Sequence, residues 1–245
     1  MNYQQFRPTG FNILPPVVKN LLIINGLFFL GTITFQNVFH TDLSKHLGLH
    51  YFESEQFNPF QLVTYMFMHG GMSHIFFNMF ALWMFGKTLE EVWGPKRFLT
   101  YYMVTGIGAA LIQMLVTFIR IQSIEAALSP DLIDIVYREG SSVIQQGMNY
   151  SNDAMAKLNA MINTPTVGAS GAVFGLLLAF GMLFPNAVIY LYFAIPIKAK
   201  WFVMIYGAIE LYSGVANNPA DNVAHFAHLG GMIFGFFLIK YWKRN

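Results

Sequence analysis

The chain has 245 residues, 55% of them hydrophobic and only 11% charged, with a mean hydropathy of +0.47. Soluble domains carry about 25% charged residues, so lipid is the expected solvent for much of this surface. A formal net charge of +2 is too small to argue for nucleic acid, and the absence of cysteine excludes disulfides, thiolate catalysis and Cys-based metal sites.

A helix crosses a bilayer with about 20 largely apolar residues. The first residues are polar, and neither a cleavable signal nor an Arg-rich transit peptide is expected, so targeting is assigned to the first span, 17–39. The second span is predicted over 63–86, carrying His69 and His74, and the third over 98–119. Glu90, Glu91, Trp93 and Gly94 read as a helix-ending turn between them. A polar insertion, 121–165, follows, with apolar residues at helical spacing around Ile121–Tyr137 and Met155–Ile162. That spacing predicts two short amphipathic helices outside the membrane. The fourth span is placed at 168–185, the fifth at 201–218 and the sixth at 223–241. Ala187–Ile197 has strand-like chemistry without a clear pattern. The expected architecture is a single all-α membrane domain over 1–245, a six-helix bundle.

Positive charge favours the cytoplasmic side. With both termini inside, ten of the 14 Lys and Arg residues fall on the inner side and Lys45, Arg120, Arg138 and Lys157 outside. Both termini are therefore expected in the cytoplasm, with a bacterial cytoplasmic membrane as the expected location.

Polar residues inside a span are costly and mark function by default. Three clusters begin near the outer side: His74 with Asn78, Gly168 to Gly171, and His225 to Gly231. His74 and Asn78, four residues apart, share one helix face. Ser170 opens the fourth span, where free backbone N–H groups favour developing negative charge. A serine hydroxyl is a weak nucleophile until a base takes its proton, and His228 is the candidate base. His74 and Asn78 supply donors suited to an oxyanion. Gly171 with Gly175, and Gly231 with Gly235, form small-residue pairs that let helices approach closely. A contact between the fourth and sixth helices is what a Ser170–His228 pair requires.

At these residues the sequence resembles the rhomboid family of intramembrane serine proteases. The matching motifs are HxxxN at His74–Asn78, GxSG at Gly168–Gly171 and AHxxGxxxG at Ala227–Gly235, in the family's order and on the second, fourth and sixth helices. The likeness covers roughly Pro59 to the C-terminus. It implies a rhomboid-like bundle in which Ser170 is the nucleophile, His228 the general base, and His74, Asn78 and the Ser170 N–H the oxyanion hole. It also implies that Phe174 packs on the catalytic imidazole, and that Gly168, Gly171 and Gly231 support the site. The family lacks a catalytic Asp, and no residue here occupies a matching place. Substrates would be transmembrane proteins, cleaved near the outer face, with entry involving the fifth helix and Ser213–Ala224. Membrane lipids are the other implied partner; no metal and no organic cofactor is implied. The first outer loop, about Gln36–Phe60, departs from the family in lacking a Trp-Arg pair, which puts its anchoring in question.

Simpler roles are expected for other residues. His225 reads as structural, His69 as a hydrogen-bonding loop residue, and His40, His46 and His50 as facing outer water. Glu210, midway along the fifth span, reads as a protonated or hydrogen-bonded packing residue rather than a proton relay. Among rival functions, a zinc protease would need an HExxH motif, which is absent. A G-x-S-x-G elbow fails because residue 172 is Ala. A transporter using His74, His228 and Glu210 would be expected to show an inverted repeat, and the hydropathy shows none. A catalytically silent relative is disfavoured because both Ser170 and His228 are present.

Overall fold

The structure is a computed structural model that describes residues 14–191, 194–216 and 223–244. Arg7 and most of the loop before the last helix lie outside them. The described chain is mostly helical: α1 (Pro16–Phe39), α2 (Ser44–Leu47), α3 (Gln61–Thr64), α4 (Met72–Trp93), α5 (Pro95–Glu125), α6 (Pro130–Gln145), α7 (Asp153–Asn163), α8 (Ser170–Leu183), α9 (Ala199–Ala216) and α10 (His225–Arg244). Two short strands, β1 (Val188–Leu191) and β2 (Ile195–Lys198), pair antiparallel between α8 and α9.

By length and composition, α1 and α5 are, among the described residues, the two helices apolar and long enough to cross a membrane. Six helices, α1, α4, α5, α8, α9 and α10, stand near the six expected spans, although only α1 and α5 meet that measure. At 14 residues, α8 is only about 21 Å long, shorter than a hydrocarbon core of about 30 Å. The second helix also starts later than predicted: 61–67 is a short helical turn, and α4 opens at Met72 after Gly70 and Gly71. An uncharged run does not reveal a break when the breaking residues are themselves uncharged. At its other end α4 continues to Trp93 because Glu90 is buried, accepting from the backbone N–H groups of Val17 and Val18 at 2.9 and 2.8 Å. Gly94, with φ +77°, then turns the chain into α5.

Four helices, α4, α5, α9 and α10, pack around α8. The face of α8 is apolar almost all round, as a central helix requires: Ala172, Val173, Leu176, Leu177 and Ala179 are buried in the main core with Leu82, Phe98 and Tyr101. Outward, large apolar side chains such as Leu27, Phe77, Met204, Tyr212 and Phe237 stand exposed, while Asn25, Asn78, Thr105, Glu210 and His228 are buried. Apolar residues outside and polar residues inside suit a lipid-facing surface rather than a watery one.

The insertion forms a second layer. Helices α6 and α7 share a separate core of Tyr51, Ile121, Val136, Met155, Leu158 and Ile162. The first of them runs over 130–145 rather than from Ile121, because α5 continues to Glu125 and Pro130 starts a new helix. The first outer loop is anchored without a Trp-Arg pair. Leu49 and Thr166 exchange backbone hydrogen bonds of 2.9 Å, and the Gln61 side chain donates to the carbonyls of His46 and Gln56 while accepting from the His50 N–H. His40 and His46 are exposed, but His50 is buried, its Nε2 2.9 Å from the Lys45 carbonyl. The loop folds inward at that point, which single-residue polarity does not reveal. His69 is buried too; among the described residues its ring nitrogens find no hydrogen-bond partner, and its contact is edge-on with the His74 ring at 5.1 Å.

Candidate active site

Ser170 is the first residue of α8, and no side chain caps that end. The first turn of a helix leaves backbone N–H groups without intrahelical acceptors, here at Ser170, Gly171 and Ala172. The approach to the serine is set by Gly168, whose φ of +129° favours glycine. Its N–H donates to the Tyr65 carbonyl at 2.9 Å, and Tyr65 Oη donates in turn to Gly106 O at 2.7 Å. A Cβ on Gly168 would sit 2.9 Å from His74 Nε2 and 3.5 Å from Ser170 Oγ. The missing side chain therefore leaves a space bordered by both groups.

His74 and Asn78 lie on α4. The Gly70 N–H donates to His74 Nδ1 at 3.3 Å. A neutral imidazole that accepts at Nδ1 carries its proton on Nε2, the nitrogen beside Gly168. Asn78 is buried; its Nδ2 donates to His74 O at 3.0 Å, leaving one amide proton uncommitted by that bond.

His228 lies in the first turn of α10, buried, with Nε2 2.8 Å from Ser170 Oγ. Phe174, one turn after the serine, stacks on the His228 ring with centroids 4.2 Å apart and planes 6° from parallel. The two helices touch where side chains are missing: a Cβ on Gly231 would collide with the Gly171 carbonyl. Gly175 and Gly235 do not complete that seam. They face α5, against Thr105 and Tyr101 respectively. The pairs read as one two-helix contact thus form a three-helix junction: a Cβ on Gly171 would itself meet Ala109 of α5, on the same side as Gly175.

On the far side of His228, its Nδ1 is 2.8 Å from Glu210 Oε2, and His225 Nδ1 is 2.6 Å from the same oxygen. Glu210, on α9, is buried. The Glu210, His225 and His228 ligand-capable atoms lie within 4.8 Å of one another. The sequence marked Glu210 only as an acidic residue in mid-span. Its partner was invisible because the two residues sit on different helices whose relative rotation sequence spacing does not encode. Ser213 to Ala216, Val223 and Ala224 are described, but the centre of the proposed entry loop lies outside the described residues.

Comparisons with known proteins identify the family of the chain. A family model for the rhomboid domain matches residues 56–121 and 135–244, well over half of the chain. The chain is 28% identical over 215 residues to RHOMBOID-like protein 12, mitochondrial, of Arabidopsis thaliana, covering 88% of this chain and 55% of that protein. It is 28% identical over 184 residues to Rhomboid protease GluP of Bacillus subtilis (strain 168), covering 72% of this chain and 25% of that one. It is 30% identical over 179 residues to RHOMBOID-like protein 1 of Arabidopsis thaliana, covering 73% and 33%. The chain thus spans about half, or less, of the length of these relatives.

Proposed function

The chain belongs to the rhomboid family, and on that premise we propose that it is an intramembrane serine endopeptidase hydrolysing peptide bonds of transmembrane substrates near the outer membrane face. Rhomboid proteins are membrane-integral and are generally intramembrane serine proteases. The observation that carries the reading is the 2.8 Å approach of His228 Nε2 to Ser170 Oγ at the N-terminus of α8. That is hydrogen-bond reach for a nucleophile and its base.

The chemistry follows from the geometry. His228 Nε2 takes the hydroxyl proton as Ser170 Oγ bonds to the scissile carbonyl carbon, and the carbonyl π electrons move onto oxygen. That oxyanion is met by the Ser170 N–H, by His74 Nε2–H and by the Asn78 amide, at a helix end whose dipole favours negative charge. Collapse breaks the C–N bond, and the leaving amine takes its proton from His228. Water, deprotonated by His228, then attacks the acyl ester; cleavage of the ester C–O bond returns the proton to Ser170 and releases the acid.

Burial of this site in lipid is supported by the length of α8. A helix of about 21 Å cannot reach both faces of a core of about 30 Å, so with its C-terminal end near the inner face Ser170 lies below the outer surface. Six membrane-crossing segments with both termini inside fit the long helices and the charge split. The proposed location is a bacterial cytoplasmic membrane; the relatives above include mitochondrial and bacterial proteins.

The test is fluorophosphonate labelling of the detergent-solubilised protein. Wild type is expected to label, while Ser170→Ala and His228→Ala, folded as judged by thermal unfolding, do not. A monodisperse wild type that fails to label, or a Ser170→Ala variant that labels fully, would overturn the mechanism.

A further inference from the structure

We propose that Glu210 is a positioning residue for the His228 base, backing the Ser170–His228 pair from the Nδ1 side of the imidazole. The inference rests on the serine-protease reading and adds to it. To accept the Ser170 proton, neutral His228 must leave Nε2 bare and carry its own proton on Nδ1. A buried N–H needs an acceptor. Glu210 Oε2, 2.8 Å away, is that acceptor. Without it, the tautomer with the proton on Nε2 competes, and that tautomer cannot act as base. The same carboxylate faces the positive charge that His228 gains in the transition state, in an interior where that charge is poorly solvated. Phe174 orients the ring plane by stacking but offers no acceptor at Nδ1, so the two neighbours do different work.

His225 completes the arrangement. Its Nδ1 lies 2.6 Å from the same Oε2, and a carboxylate oxygen has lone pairs for two donors. Two donors on one oxygen hold the side chain of Glu210 in a single orientation and spread its charge inside the bundle. A metal is the competing occupant of these three residues. The spacing disfavours it: donor–acceptor separations of 2.6 and 2.8 Å are hydrogen-bond lengths. A tetrahedral zinc with bonds near 2.0–2.1 Å would hold its ligand atoms roughly 3.3 Å apart. The cluster as it stands is shaped around protons.

The experiment measures saturable fluorophosphonate labelling of the full chain, separating the maximal rate from the half-saturating concentration. Removing the acceptor charge in a serine-protease triad lowers kcat by about 10,000-fold. Glu210→Gln is expected to lower the maximal labelling rate by about 100-fold or more and shift half-saturation by less than about threefold, with Glu210→Asp lying between it and wild type. A Glu210→Gln rate within about threefold of wild type overturns the positioning role and leaves the serine-protease reading standing. A folded wild type inert to the probe overturns both. Should the variants misfold, nitrogen NMR of histidine-labelled wild type decides: a proton on His228 Nδ1 is expected, and a bare Nδ1 overturns the proposal. Chelator is expected to change nothing. Faster labelling with EDTA, reversed by zinc, would make the cluster an inhibitory metal site and overturn the positioning role.

Discussion

Asn78 is the residue whose role is most sharply tested by a single change. One amide proton is spent on the His74 carbonyl one turn back at 3.0 Å, which fixes the side-chain orientation and leaves the other free of that bond, as the proposed oxyanion role requires. Asn78→Ala is expected to reduce cleavage by at most about 100- to 1,000-fold, the range for losing one such donor, without abolishing it. The readout is kcat, with KM little changed, because the interaction develops only as the carbonyl oxygen becomes charged. Gly168 shows why glycine is required here: its positive φ and the 2.9 Å approach of the His74 ring both exclude a side chain. The GxSG and HxxxN motifs, far apart in sequence, meet at this residue.

At the scale of elements, α1 is held by a residue of another helix. Glu90 offers one oxygen to the Val17 N–H and the other to the Val18 N–H, satisfying two donors that α1 cannot satisfy itself. Glu90→Ala leaves these N–H groups without acceptors and is expected to cost ~1–3 kcal/mol, read as a lower thermal midpoint in detergent; Glu90→Gln, which keeps one acceptor, should lose less. The first outer loop carries a pH dependence. Burial pushes the His50 pKa below 6.5; the Lys45 carbonyl partly offsets this and nearby His46 adds to it. The folded state therefore binds the proton less readily than the unfolded chain, so stability is fully present above pH 6.5 and falls as the pH drops toward the lowered folded value. Thermal midpoints recorded on descending pH should decline, and His50→Gln should flatten that part of the decline.

For the whole molecule, the starts of α1 and α5 meet the ends of α4 and α10 at one end. Glu90 reaches Val17 there, and the Arg97 guanidinium lies 4.2 Å over the Trp242 ring. At the other end Arg120 donates to Gly214 O and sits over Phe226. Because the chain has no cysteine, orientation is directly measurable with single substitutions at exposed positions. Met148→Cys, in the insertion, should react with an impermeant maleimide in intact cells, and Lys243→Cys only after permeabilisation. The reverse pattern would invert the topology. Composition and periodicity by themselves determined that the chain is an apolar, mostly helical protein with a polar insertion, because hydropathy and helical spacing are local properties. They also determined which residue types are available for the proposed chemistry, through short motifs that each span nine residues or fewer. Tertiary structure alone decided that Gly175 and Gly235 serve α5, that His50 turns inward, and that Glu210 rests on His228 and His225. Each of these depends on the rotation and crossing of separate helices or on the path of a loop, which packing sets and residue spacing does not.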